Sequence, residues 1–254
     1  MSTFELNRVG FTGLLFVLVI AASFLLVLGS RRKLSREHLR VIPAFVRLRK
    51  ALSLAIEAGT RVQISVGRGG VFYLPGAATF AGLRFLKRIF RRAGISDRPP
   101  MALNGDPLVD ILSNDVIRRT ERPGETGRTS ELPASQLTGL TPFSFAGGAL
   151  TQIASERATA TVLAGHFGTE IGLMIDSADS TGAQVFAASE GMTAQAVLAA
   201  MVDDPLLGEE LFAAGAYLEE DQEILASLRI QDFVRWCLAL VILVGIALRY
   251  LGVI

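Results

Sequence analysis

Hydrophobic and polar positions divide the chain into three unequal parts. From Phe11 to Leu28 no charged residue interrupts an apolar run, and from Trp236 to Leu248 a second charge-free run stands close to the C-terminus. A helix over the first run rises roughly 27 Å at about 1.5 Å per residue, close to the hydrocarbon thickness of a bilayer. The pattern therefore predicts an N-terminal transmembrane anchor within residues 1–30, a central domain over 31–232 and a C-terminal transmembrane helix within 233–254. The second run is shorter, and Arg249 interrupts it before Leu251. Arg249 either snorkels to the outer headgroups or stays inside and pairs, which makes it a candidate contact residue.

Inside the central part, helical and strand periods alternate. Pro43 can open a helix that runs to Ala58, with Gly59 in the stop position, and Arg61–Val66 alternates as a β-branched strand. A helix over 77–93, a short strand over 100–103 and a helix over 108–119 follow. Glu121–Pro142 carries Pro, Gly, Ser and Thr without periodicity and reads as a linker or mobile loop. Beyond it come a helix over 145–155, a strand over 158–164, a helix over 169–177, a strand over 183–187 and a helix over 193–201. Two more helical stretches, 206–215 and 216–229, lead to the second apolar run. Strands separated by helices of this length imply right-handed crossovers, so the fold class is α/β, a Rossmann-like, mainly parallel sheet flanked by two transmembrane helices.

Charge orients this arrangement. Arg31, Arg32, Lys33, Arg36, Arg40, Arg47, Arg49 and Lys50 follow the first apolar run, opposed only by Glu37. Positive residues stay on the cytoplasmic side, so the sequence predicts an inner-membrane protein with a cytoplasmic domain and both termini outside. A cleaved signal peptide would carry its positive charge before the apolar core, whereas here the load lies after it. The net charge of +1 hides an asymmetry. The first half is basic, while Asp203, Asp204, Glu209, Glu210, Glu219, Glu220, Asp221 and Glu223 form a late acidic stretch. These are either solvated helix faces or complementary surfaces that meet between copies or partner subunits. Nucleic acid is not an expected partner, because the basic residues would face anionic lipid and no aromatic residues are interleaved with them. With 1 cysteine, Cys237, and 2 histidines, His38 and His166, an intramolecular disulfide is impossible and a Cys/His zinc site is not expected. No cofactor is called for. Asp176 and Asp179 are spaced as paired acids or metal ligands, a spacing that is commonplace on an exposed helix face, and no metal is expected there.

In a parallel sheet, ligands bind beyond the C-terminal strand ends, which singles out three turns. Gly67-Arg68-Gly69-Gly70 could bring backbone N–H groups and a guanidinium to an anion, although the spacing fits neither the dinucleotide fingerprint nor the phosphate loop. In Gly165-His166-Phe167-Gly168-Thr169-Glu170, Thr169 can cap the next helix. His166 could serve as a general base or ligand contact, oriented by Glu170. Ser189-Glu190-Gly191-Met192-Thr193 has the same character. Each of the three is accounted for more simply as a plain βα turn.

The segments Val162–Leu173, Ala183–Ala187 and Gly208-Glu-Glu-Leu-Phe-Ala-Ala-Gly-Ala-Tyr217, together with Ile42–Phe45 and Arg61–Gly70, resemble an uncharacterised bacterial membrane-protein family known only as a domain of unknown function. The resemblance implies a shared fold and membrane context and transfers no catalytic residue. Within its Gly208-Glu209-Glu210 block, one carboxylate is expected to be buried or interfacial. Two functions stand against one another. The first is a membrane-anchored assembly subunit that contacts itself or other membrane-complex subunits. The second is a tethered domain that binds or processes a small anionic, nucleotide-like ligand at the three turns.

Overall fold

The structure, a computed structural model, describes residues 40–72, 76–94, 96, 98–120, 134–219 and 222–250. Six strands alternate with helices: α1 (Pro43–Glu57), β1 (Val62–Gly67), α2 (Gly76–Ala93), β2 (Met101–Asn104), α3 (Pro107–Thr120), β3 (Ser135–Leu137), α4 (Pro142–Glu156), β4 (Ala160–His166), α5 (Ile171–Ser180), β5 (Gln184–Ser189), α6 (Met192–Met201), β6 (Leu206–Leu207) and α7 (Glu210–Glu219). Every pairing is parallel, in the order β3-β2-β1-β4-β5-β6. Strands buried on both faces need no alternation of polar residues, and β1 and β2 are buried at every position.

One face of the sheet packs Val62, Ile64, Val66, Val162 and Ala164 against Phe45 of α1 and Phe85, Leu86 and Ile89 of α2. The other sets Leu103, Leu163 and Ala187 against Phe145 of α4, Ile171 and Met174 of α5 and Leu198 of α6. Helix α2 lies unusually close to its strands. A Cβ on Gly82 would stand 2.3 Å from the carbonyl oxygen of Ala164 and 2.8 Å from Val66 Cγ1. Helix α7 is held by its carbonyls, which the helix itself leaves without donors in its last turn. Arg88 donates to the Gly215 carbonyl at 2.7 Å, Arg92 to that of Leu218 at 2.9 Å, and Arg49 to that of Tyr217. The Tyr217 ring stacks on Phe45 at 4.9 Å.

Three boundaries differ from the sequence expectation. The supposed linker contains β3, a strand too short to display a period. It is fixed by polar ties instead: Asn104 Nδ2 donates to Ser135 Oγ at 2.8 Å, and Ser135 Oγ donates to Asp110 Oδ1. Pro142 opens α4 behind a Thr141 cap, so the segment 134–142 belongs to the domain; residues 121–133 lie outside the described residues. Leu206 and Leu207 join the sheet rather than a helix, Gly208 turns with φ +56°, and α7 then runs through Gly215 without a break.

The basic entry and acidic exit pair within one chain. Arg47 meets Asp204 at 2.6 Å and Asp203 at 3.9 Å, and Arg40 meets Glu210 at 3.5 Å. Complementarity between copies is therefore not needed to explain these charges.

Helix α8 (Gln222–Tyr250) belongs to a second unit. Its Phe233, Trp236, Leu238, Ile242, Leu243 and Ile246 are all exposed, as is Cys237. Among the described residues, no helix is long and apolar enough to cross a membrane. The first apolar run, Phe11–Leu28, and the Arg249 side chain lie outside the described residues.

Candidate functional site

The strand order reverses direction between β1 and β4, and in an open parallel sheet this is where the carboxyl ends of the strands leave a crevice. The first two sequence-predicted turns begin at adjacent strand ends, since Gly67 is the register partner of His166. The third follows β5, whose Ser189 pairs with Gly165. The backbones at this point touch. A Cβ on Gly67 would lie 2.1 Å from the His166 carbonyl oxygen, and one on Gly165 would lie 2.0 Å from that of Val66. Gly67 also takes φ +83°, which L side chains rarely adopt. Glycine is thus required at Gly67 for two independent reasons.

Hydrogen bonds carry the ladder one residue beyond the strands and then stop. Arg68 N–H donates to the His166 carbonyl at 2.9 Å, and Gly105 N–H donates to that of Gly67 at 3.0 Å. Thr79 Oγ1 in α2 pins the loop by donating to the Gly69 carbonyl at 2.6 Å. Among the described residues, nothing accepts from the N–H groups of Gly69 and Gly70, although Gly69 is buried. Buried backbone donors are almost always paired, so the Gly69 N–H is an anomaly of the kind an anionic ligand resolves, with the partly exposed Gly70 N–H beside it.

Arg68 lies over the end of β2, where a Cβ on Gly105 would meet its Cγ at 2.3 Å. Its Nε donates to Glu170 Oε1 at 3.3 Å, and the same oxygen accepts the Gly168 N–H at 2.9 Å. Glu170 is only 3% exposed, so the carboxylate acts as a buried anchor for the guanidinium stem. The two terminal nitrogens of Arg68 meet no partner among the described residues, and the side chain remains 25% exposed. A fork held from behind with its outer edge free is suited to bidentate contact with a phosphate or carboxylate.

The sequence expectation for Thr169 and Glu170 is corrected here. Helix α5 starts at Ile171, with Glu170 at the cap position and no side-chain cap bond, while Thr169 is exposed. Glu170 does not orient the histidine. Glu190 does, its Oε1 lying 2.7 Å from His166 Nδ1. A carboxylate only accepts, so Nδ1 carries the hydrogen and Nε2 of the neutral ring is an acceptor. The turn behind this pair is fixed by Gln195 Nε2, which donates to the Glu190 carbonyl at 2.8 Å, and by Ser189 Oγ, which accepts from Gly191 N–H at 3.3 Å. Glu190 Oε2 is buried without a donor.

Glu209 and Glu210 stand elsewhere, at the start of α7 beyond β6, where Glu210 accepts the Leu207 N–H at 3.4 Å. A wide cleft of about 710 Å³ lies near the opposite end of β5, lined in part by Arg47, Asp176, Asp179, Gln184, Met201 and Asp203. Arg47 there is paired with Asp203 and Asp204, and the cleft lies away from the three turns. Sequence reasoning passed over Gly105, whose bare Cα makes room for Arg68. Its only signal was the Asn104-Gly105-Asp106-Pro107 stop.

The family described as Domain of unknown function (DUF6754) matches residues 1–254. No curated protein and no solved structure matches the chain.

Proposed function

We propose a function from one premise, that the chain belongs over residues 1–254 to this family of unknown function: its α/β domain binds a small anionic, phosphate-bearing ligand at the β1–β4 switch point. The observation that carries this reading is that, in one turn at the switch point, the Gly69 and Gly70 N–H groups and the terminal nitrogens of Arg68 all lack a partner among the described residues. The His166–Glu190 pair lies on the next strand end and presents an acceptor to a ligand hydroxyl. Nucleotide-like molecules combine these two features. The apolar runs Phe11–Leu28 and Trp236–Leu248 hold the domain at the inner membrane, with its basic entry on the cytoplasmic side. The exposed apolar side chains along α8 support this tether.

Thermal melting of the full chain with added pyrophosphate tests the reading. A ligand present at 100 times its dissociation constant stabilises by about 2.7 kcal/mol, so the midpoint should rise by roughly 5–10 °C. Arg68→Ala should remove the rise. A wild-type midpoint unmoved by millimolar pyrophosphate would count against the proposal.

A second reading, contact with further copies or other membrane-complex subunits, is supported by the same exposed side chains of α8. Native mass measurement in mild detergent separates the two: a discrete large oligomer supports assembly, and a monomer carrying a bound anion supports the ligand site.

A further inference from the structure

The loops at the carboxyl edge expose large apolar side chains beside the polar Thr141, Ser144, Thr169 and Thr193. Phe72, two residues past Gly70, is 87% exposed, and Met192, two residues past Glu190, is 86% exposed. Phe143 in the first turn of α4 is 72% exposed, and Leu140 just before it 62%. All four stand at the carboxyl edge, because β1, β3 and β5 all run toward it in a parallel sheet. They also belong to turns that touch the site. Phe143 is two residues from Phe145, which with Arg68 crowds Gly105; Met192 follows Gly191, which packs on the Phe167 carbonyl. Phe72 and Met192 are the most exposed large apolar side chains of the described α/β domain, and both flank turns of the site.

Resting on the anion-site reading, we infer that the ligand is an amphiphile, a phosphate head carrying an apolar chain, with its head on Gly69, Gly70 and Arg68 and its chain on Phe72 and Met192. Charge complementarity decides against a purely apolar occupant: the same edge carries two N–H donors and a guanidinium edge without partners among the described residues. A free inorganic or sugar phosphate would leave the rim bare. Each methylene fully buried tightens binding about fourfold, so a short chain resting partly on this rim should gain at least about tenfold.

The test uses the full chain kept soluble in an amphipathic polymer, with inorganic phosphate, hexyl phosphate and hexanol as probes in isothermal titration. Hexyl phosphate should bind at least about tenfold more tightly than inorganic phosphate, and hexanol far more weakly than hexyl phosphate. The double variant Phe72→Ser/Met192→Ser changes only exposed side chains; it should keep the wild-type melting temperature and phosphate affinity and lose the tenfold gap. Dihexanoyl phosphatidate that displaces hexyl phosphate identifies a phospholipid head, and failure to displace it identifies a single-chain phosphate; either result supports the inference. Equal binding of inorganic and hexyl phosphate overturns the amphiphile while leaving the anion site standing. Binding of neither overturns both. Hexanol binding as tightly as hexyl phosphate, or a double variant that keeps the gap, overturns the assignment of head and chain to these residues.

Discussion

The two edges of the sheet treat their polar groups in opposite ways. At the amino edge, Arg61 closes on Glu156 at 3.0 Å with both side chains largely covered, and Thr60 and Thr159 join their hydroxyls. Backbone groups are used up as well, Thr159 N–H donating to the Arg61 carbonyl at 3.1 Å and Gln184 N–H to that of Thr159 at 2.9 Å. At the carboxyl edge the corresponding groups are half used: Arg68 is bonded through Nε alone, and the Gly69 and Gly70 donors have no acceptor among the described residues. Folding alone gives no reason for this asymmetry, since an unsatisfied buried donor costs about 1–3 kcal/mol. Arg61 Nε is itself buried without a partner among the described residues, so the contrast lies in the end of each fork: Arg61 Nη1 reaches a carboxylate, whereas the terminal nitrogens of Arg68 meet no partner there.

Substitutions can break that contrast, and glycine gives the largest effect. Gly67→Ala places a Cβ against the His166 carbonyl in a strained backbone conformation, and should cost at least about 3 kcal/mol, a fall of roughly 6–12 °C in melting temperature. At the amino edge, Arg61→Met strands the mostly covered Glu156 carboxylate and should cost about 1–3 kcal/mol by urea denaturation. Gly182 shares the positive φ, at +77°, but a Cβ there meets nothing within 4 Å, so Gly182→Ala should cost only about 1–2 kcal/mol. Arg68→Ala leaves the buried Glu170 carboxylate with the Gly168 N–H alone, so it should also cost about 1–3 kcal/mol, but unlike Arg61→Met it should abolish pyrophosphate binding. If Arg61→Met abolished pyrophosphate binding as Arg68→Ala does, the two edges would be equivalent and the contrast would fail.

Much of this arrangement can be read in the chain. Helical and strand periods locate α1, β1, α2 and β4 because long apolar runs fill one core on each face. β3 and β6 escape, since strands of three and two residues carry no period, and β3 is held by Asn104, Asp110 and Ser135 rather than by apolar contact. The three turns of the site are legible because glycines follow strands. Their wiring is not: that Glu190 and not Glu170 faces His166 depends on the parallel register of β4 and β5, and that Arg68 reaches Glu170 depends on the bare Cα of Gly105. The charge runs were legible as charges, yet their partners, Arg47 with Asp203 and Asp204, lie more than 150 residues apart.

Selective ¹⁵N-glycine labelling addresses the central claim most directly, because glycines stand at both edges. On titration with phosphate, the amide signals of Gly69 and Gly70 should move and Arg68→Ala should abolish the movement, while those of Gly59 and Gly182 at the amino edge stay fixed. Signals that stay still at Gly69 and Gly70, or that move at the amino edge instead, would contradict an anion site at the β1–β4 switch point.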